Sequence, residues 1–179
     1  MTPKDVIAFW SGVGEKKWFA VDPKLDAEIR NRFEPQWRKA RDGKLADWRQ
    51  SAEGTLALLI LLDQFPRNMF RGKAEAFSTD ESARDLARFA LARGYDLAFP
   101  SALRAFFYLP FMHSENLNDQ DLCVKLIAER LGTSVANYPF ALGHRDTIVR
   151  FGRFPMRNVA LGRRSTAAEK AFIAKSSPH

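Results

Sequence analysis

Apolar residues in this chain recur at helical spacing. Leu25, Ile29 and Phe33 form one stripe, Ala83, Leu86, Ala87 and Ala90 a second, and Leu122, Leu126 and Leu131 a third. No short window alternates apolar and polar positions between turn signals, as a strand would. The punctuation is also helical. Thr2-Pro3 and Asp22-Pro23 each place a capping side chain before a proline at the first helical position. Ser51 precedes the run Leu56–Leu62, which is apolar all round and so predicts a buried central helix. Pro35 should kink or break the second helix, and Pro66 should end the central one, because proline lacks the amide donor and constrains its predecessor. Ser78 or Thr79 opens a further helix to Gly94, and Ser101–Tyr108 predicts a short one stopped before Pro110. Asn118 and Asn137 are candidate caps for two more, the latter reaching Phe151 or Arg153. Thr166 and Glu169 have capping-box spacing at the start of a terminal helix through Phe172 and Ile173. About eight helices with short loops predict an all-α fold of packed helical hairpins, in one domain over residues 1–179.

Composition narrows the class. With 15 Phe, 4 Trp and 3 Tyr the chain carries too much apolar surface to stay disordered. Cys123 has no partner, so neither a disulfide scaffold nor a zinc site built on cysteine pairs can form. The longest aliphatic run, Leu56–Leu62, is far short of the about 20 residues that a bilayer helix needs. A lone cysteine and an N-terminus without a signal-like apolar region predict a cytoplasmic setting.

Charge is distributed unevenly. The net charge is +7, yet the first 143 residues are nearly balanced. Residues 144–179 hold eight Lys and Arg, mostly Arg, against only Asp146 and Glu169. These arginines can pair with carboxylates from the balanced region, form a site for a carboxylate or phosphate, or face nucleic acid. The last is not expected, because no helix-turn-helix, zinc finger or RNA-binding string is present.

Three places could carry chemistry. Asp63 stands at the C-terminal turn of the most apolar helix, where both the helix dipole and burial oppose a negative charge. It therefore needs a cation, and Arg67, Arg153 and Arg157 are the candidates. The result is either a structural network or a carboxylate held as a base. His113-Ser114-Glu115 puts an imidazole, a hydroxyl and a carboxylate in one turn after an aromatic run. Adjacent residues cannot form a hydrolase triad, and no Gly-x-Ser-x-Gly elbow exists, so a turn held by Ser114, with His113 donating to a carboxylate, is the simpler reading. Finally, Gln64-Phe65-Pro66-Arg67-Asn68 is echoed by Arg153-Phe154-Pro155-Met156-Arg157-Asn158, which predicts two similar helix exits able to face each other. No metal is expected: His113, Glu115, His144 and Asp63 lack ligand spacing, and arginines would repel a cation. No cofactor is expected either, because Gly12-Val13-Gly14 is not a phosphate loop.

The strings Leu61-Leu62-Asp63-Gln64-Phe65-Pro66-Arg67-Asn68, Phe107-Tyr108-Leu109-Pro110-Phe111-Met112-His113-Ser114-Glu115 and Arg150 to Asn158, with Leu161-Gly162-Arg163, resemble a bacterial family catalogued as domain of unknown function 924. Phe9-Trp10, Trp18-Phe19, Asp80 and Ser165-Thr166 fit it too. The resemblance covers nearly the whole chain and implies an all-helical fold similar to tetratricopeptide repeats, but no reaction. One position departs from it: the family usually has histidine where this chain has Met156.

Together these readings lead to one expectation. Arg67, Asn68, His113, Glu115, Arg153, Arg157 and Asn158 should converge on a cleft for an anionic group, with Asp63 as the supporting carboxylate. Three functions stay open: a helical binding module for a small anionic ligand or acidic peptide, an enzyme acting on an anionic small molecule, or an arginine–carboxylate core with no site there. A monomer is expected.

Overall fold

The apolar run Leu56–Leu62 sits at the centre of the protein, with every side chain 5% exposed or less. In the computed structural model, which describes residues 1–175, it belongs to a continuous helical stretch from Ala52 to Met69. The described residues form eleven α-helical segments, of which α4 and α5 belong to this stretch: α1 (Pro3–Val13), α2 (Glu15–Trp18), α3 (Pro23–Arg41), α4 (Ala52–Leu59), α5 (Phe65–Met69), α6 (Asp80–Ala92), α7 (Ser101–Arg104), α8 (Leu109–Met112), α9 (Leu117–Arg130), α10 (Asn137–Phe151) and α11 (Ala167–Lys175). The excess over eight comes from the single-turn pieces α2 and α8 and from α5, which continues the central stretch past Pro66; the longer apolar stripes do not reveal them. Among the described residues no strand is present, and none of the helices is long and apolar enough to cross a membrane.

Most helix starts follow the local chemistry. The Thr2 hydroxyl accepts from the Asp5 amide while the Asp5 carboxylate accepts from the Thr2 amide at 2.6 Å. Asp22 accepts from the amides of Lys24 and Leu25, and Ser51 from that of Gly54. At α11 the Thr166–Glu169 box closes, with the Thr166 amide donating to Glu169 at 2.7 Å. At α9 the cap is Asn116, which accepts from the Asn118 amide, rather than Asn118 itself. The side chain of Asn137 does not cap α10, whose first residue it is.

Of the three prolines expected to interrupt helices, Pro35 and Pro66 are absorbed, whereas the short helical stretch from Ser101 does stop before Pro110, at Phe107. Pro35 lies inside α3. It is exposed, and so is Asn31, whose carbonyl loses its amide partner, so water can take that bond while Phe33, Gln36 and Trp37 keep the helix seated. Pro110 falls in the first turn of α8, where no donor is missed. Pro66 occupies the first turn of α5, directly after a π-helical turn over Ile60–Gln64 that links it to α4. There the Phe65 amide donates to the Ile60 carbonyl, five residues back. The Leu62 carbonyl, which faces a proline four residues on, accepts instead from the Thr79 hydroxyl at 2.5 Å. Thr79 therefore makes no cap bond to α6, though it stands at its N-terminus.

The central stretch is wrapped on several sides. α1 and α6 pack on α4, α3 packs on α5, and α8 joins α9, which pairs with α10. One apolar core runs from Val6 to Ala141. Aromatic rings fill it: Phe33 and Phe65 lie 4.7 Å apart, and Trp10 meets Phe65 edge-on at 5.4 Å. Gly54 sets the closest approach. A Cβ there would lie 2.0 Å from the Trp48 carbonyl oxygen. Backbone cannot yield as a side chain does, so Gly54→Ala should destabilise by about 1–3 kcal/mol or more. Urea unfolding tests this, and an unchanged midpoint would mean that the Ala46–Gln50 turn moves freely away from α4.

Candidate functional site

Asp63 enters the site from the π-helical turn and is 1% exposed. π-turns of this kind recur at functional sites because the extra residue re-aims side chains. Its carboxylate accepts from the Gln64 amide nitrogen, faces Arg67 Nη1 at 3.3 Å, and meets His113 Nδ1 at 2.8 and 3.0 Å. Arg67 Nη1 also donates to the Asp63 carbonyl at 2.5 Å. The helix does not end at Asp63 but continues to Met69, so burial rather than a helix terminus sets its need for a cation, and Arg67, four residues on, serves both its carboxylate and its carbonyl. Burial alone would raise the Asp63 pKa, but Arg67 and His113 outweigh it and keep the carboxyl below its usual range.

The echoed Phe-Pro segments meet at Asp80. Arg67 forks onto both Asp80 oxygens at 3.0 and 3.1 Å, and Arg157 reaches the second oxygen at 3.3 Å. Arg157 also donates to the His113 carbonyl at 2.8 Å and lies 4.6 Å from the Phe77 and Phe154 ring centres. Burial and the like charge of Arg67 bring its pKa down to about 10, so it stays charged at neutral pH. Burial and Arg67 also lower the His113 pKa, and Asp63 opposes them only in part. The cluster therefore holds two carboxylates, two guanidiniums and a neutral imidazole.

The other expected site residues are placed elsewhere. Glu115 accepts from the Phe154 amide at 2.8 Å and from Arg163 at 2.7 and 2.9 Å. Arg163 donates in turn to Asn158, whose amide reaches Ser165. This latch ties the segment after α10 to the His113–Glu115 turn. Arg153 forks onto Glu169 at 2.7 and 3.0 Å. Asn68 donates to Asp26, which also holds Arg71. Ser114 donates to Asp119 at 2.7 Å and accepts from the Asn116 amide, so it holds the turn.

In front of His113 lies a cavity of about 400 Å³. Trp18, Phe19, Leu109, Met112 and Phe140 give it apolar walls, and Gln64, Arg67, Asn68, Arg71, Asn137, His113 and His144 give it polar ones. Of the seven expected residues, Arg67, Asn68 and His113 line this space. Glu115, Arg153, Arg157 and Asn158 do not, although Arg157 holds the turn behind His113. Gln64, Arg71, Asn137 and His144 join the lining; the sequence groups His144 with His113 and Asp63 only in a metal set that is not expected, gives Gln64 and Asn137 other roles, and does not single out Arg71. His144 Nδ1 donates to the Phe140 carbonyl at 2.8 Å. Burial and the charge of neighbouring groups bring its pKa down to about 4.

Neither Ser114 nor Cys123 lines the cavity, and burial pushes the Cys123 thiol up to about 12. Among the described residues no group of three His, Cys, Asp or Glu could hold a metal ion. Met156 is 51% exposed and outside the cavity, so its difference from the usual histidine leaves the Asp63–His113 pair untouched. A second depression, of about 570 Å³, lies between α1 and α3, and two of its carboxylates are committed. Asp22 caps α3 and Glu28 pairs with Arg32 at 2.8 Å.

The comparisons with known proteins agree with this architecture and name no activity. A solved structure of a protein of unknown function from Agrobacterium tumefaciens is 41% identical, covers 97% of each chain and superposes with a TM-score of 0.92. No curated protein matches. A family model described as a bacterial protein of unknown function matches residues 6–177. The chain therefore belongs to that bacterial family, domain of unknown function 924.

Proposed function

We propose that this protein binds a small organic molecule in the cavity before His113, and that His113, backed by Asp63, exchanges a proton with it. The supporting observation is a single imidazole with two different sides. Its Nδ1 meets a buried carboxylate at 2.8 Å, while its Nε2 has no partner among the described residues and the ring lines open space. A carboxylate at Nδ1 favours the tautomer with the proton there, leaving the Nε2 lone pair as the proton acceptor. The same carboxylate stabilises the imidazolium formed on transfer. A cavity of about 400 Å³ suits a small ligand rather than a peptide, since such sites run to roughly 300–1,000 Å³. Recognition of an anionic group by the arginines has less support. Arg67 already forks onto Asp80 and Arg71 onto Asp26, so an incoming anion meets guanidiniums whose charge is already matched by carboxylates and binds only through the N–H groups they have left.

NMR of histidine-labelled protein and a thermal-shift screen of small organic compounds test this together. His113 should be neutral at pH 7 with its proton on Nδ1, and should titrate below 6.5, its ordinary value. The screen should return binders whose affinity falls about tenfold in His113→Gln, the cost of one lost buried hydrogen bond. A screen without binders, or binding indifferent to His113→Gln, overturns the proposal.

A further inference from the structure

We infer that the cavity takes a ligand with oxygen groups at both ends of an apolar middle, one end at Arg67 and His113 and the other at Asn68 and Arg71. The inference rests on the cavity being a ligand site and specifies how a ligand lies in it.

Gln64, Arg67, Asn68 and Arg71 all line the cavity. Helical residues three, four and seven apart share one face, so one side of the stretch through α5 supplies this wall. Arg71 lies just past α5, where the Phe70 amide still donates to the Pro66 carbonyl at 2.9 Å, and so keeps the helical register. Two carboxylates divide the wall into two stations. Arg67 and His113 both meet Asp63, at 3.3 and 2.8 Å. Asn68 and Arg71 both donate to Asp26 on α3. The two arginines are about one turn apart, roughly 6 Å along the axis.

Each station keeps an open fork. A guanidinium carries five N–H groups and can offer parallel pairs on two of its edges. Arg67 sets its Nη1/Nη2 edge on Asp80 at 3.0 and 3.1 Å, and its other Nη1 hydrogen goes to the Asp63 carbonyl at 2.5 Å. Its Nε–H and the adjacent Nη2–H remain, and together they form its second edge. Arg71 is used the other way round. Its Nε and Nη2 hold Asp26 at 2.9 and 3.0 Å, which leaves its Nη1/Nη2 edge. The NH₂ groups of Gln64 and Asn68 each keep one hydrogen beyond the one given to a carboxylate, and the Asn137 amide adds to the lining.

The wall is therefore rich in donors at both stations, and ligand oxygens are the groups that fill it. At the first station a hydroxyl can accept from Arg67 and donate to His113 Nε2, the proton acceptor. At the second, the open fork of Arg71 matches the two oxygens of a carboxylate. Asp80 and Asp26 already match the charge of the arginines, so the forks fix where oxygens sit rather than draw an anion by charge alone. Trp18, Phe19, Leu109, Met112 and Phe140 give the apolar middle its surface.

Phenol, benzoate and 4-hydroxybenzoate share one ring and carry one oxygen group or two at opposite ends. Each is titrated at pH 7 into the full-length protein and into Arg71→Lys, with His113 Nε2 read by NMR. 4-Hydroxybenzoate should bind about tenfold tighter than either one-ended probe, the effect of one further hydrogen-bonded group. Arg71→Lys keeps the charge but loses the fork, so it should remove that advantage and leave phenol binding unchanged. Phenol and 4-hydroxybenzoate should both shift Nε2 in the direction of an accepted hydrogen bond. If 4-hydroxybenzoate binds no tighter than phenol or benzoate, or keeps its advantage in Arg71→Lys, the inference is overturned while the ligand site stands. If no probe perturbs His113, the inference falls together with the ligand-site reading.

Discussion

Asp80→Ala is expected to lower the unfolding free energy by about 3–5 kcal/mol, the usual effect of removing one partner from a buried charge network. Asp80 is the one carboxylate that both Arg67 and Arg157 reach, and it is 7% exposed. Its removal leaves two guanidiniums facing each other at 20% and 14% exposure. Neither is expected to escape by losing a proton, because a guanidinium stays charged at neutral pH; with Asp80 in place the Arg67 pKa is raised and only that of Arg157 is brought down, to about 10. The remaining carboxylate, Asp63, lies within reach of Arg67 and is already engaged by His113 and Gln64. A chain of this length loses roughly 2–4 °C in Tm per kcal/mol, so calorimetry should show a fall of about 6–20 °C. By contrast, Glu28→Ala breaks an exposed pair with Arg32 and should cost under about 1 kcal/mol. A loss of similar size at Asp80 would mean that water reaches the two arginines and replaces the carboxylate.

Leu59→Ala should cost about 2–5 kcal/mol. Leu59 has no exposed surface, lies on α4 immediately before the π-turn, and belongs to the main core. The loss combines the transfer of the side chain out of water with the cavity left behind, and the second part depends on how far neighbours can close in. Here they are held on several sides by α1, α3 and α6, all packed on the central stretch. Val159, at 90% exposure, is the matched control, and its replacement by alanine should change stability by less than about 0.5 kcal/mol. Urea unfolding of the two variants tests the assignment, and equal midpoints would place the centre of the core elsewhere.

Of the readings open for the C-terminal charge surplus, pairing with carboxylates of the balanced region is the one that the ion pairs support. Asp63 and Glu115 alone could not balance the arginines of residues 144–179. The structure brings other carboxylates to them: Asp80 to Arg157 and Glu169 to Arg153, with Glu115 taking Arg163 and Asp121 taking Arg145. A segment count of charge assigns no partners, because ion pairs form between whichever side chains the fold brings within about 4 Å. The echo of the two Phe-Pro-Arg-Asn segments was more informative. Both arginines do arrive at one carboxylate, but the first segment gets there inside a helix that the π-turn carries past Pro66, not at a helix exit.

What the sequence determines by itself is the all-helical class, the buried central run and the starts at Thr2, Asp22, Ser51 and Thr166. Each depends on groups within about four residues of one another, the reach of the helical hydrogen bond and of a capping side chain. The need of Asp63 for a cation was legible because its place in the most apolar run implied burial, although the helix does not end there as expected. Its pairing with His113 was not, since 50 residues separate them. Nor was the convergence of Arg67 and Arg157 on Asp80, 77 residues from Arg157. Only the tertiary structure decided that Gln64, Asn68, His113 and His144 share a cavity while Glu115, Arg153 and Asn158 serve other contacts. The packing of α8 against α10 and the contact of His113 with Asp63 on the π-turn set those distances, and side-chain volumes spread over the whole core set that packing.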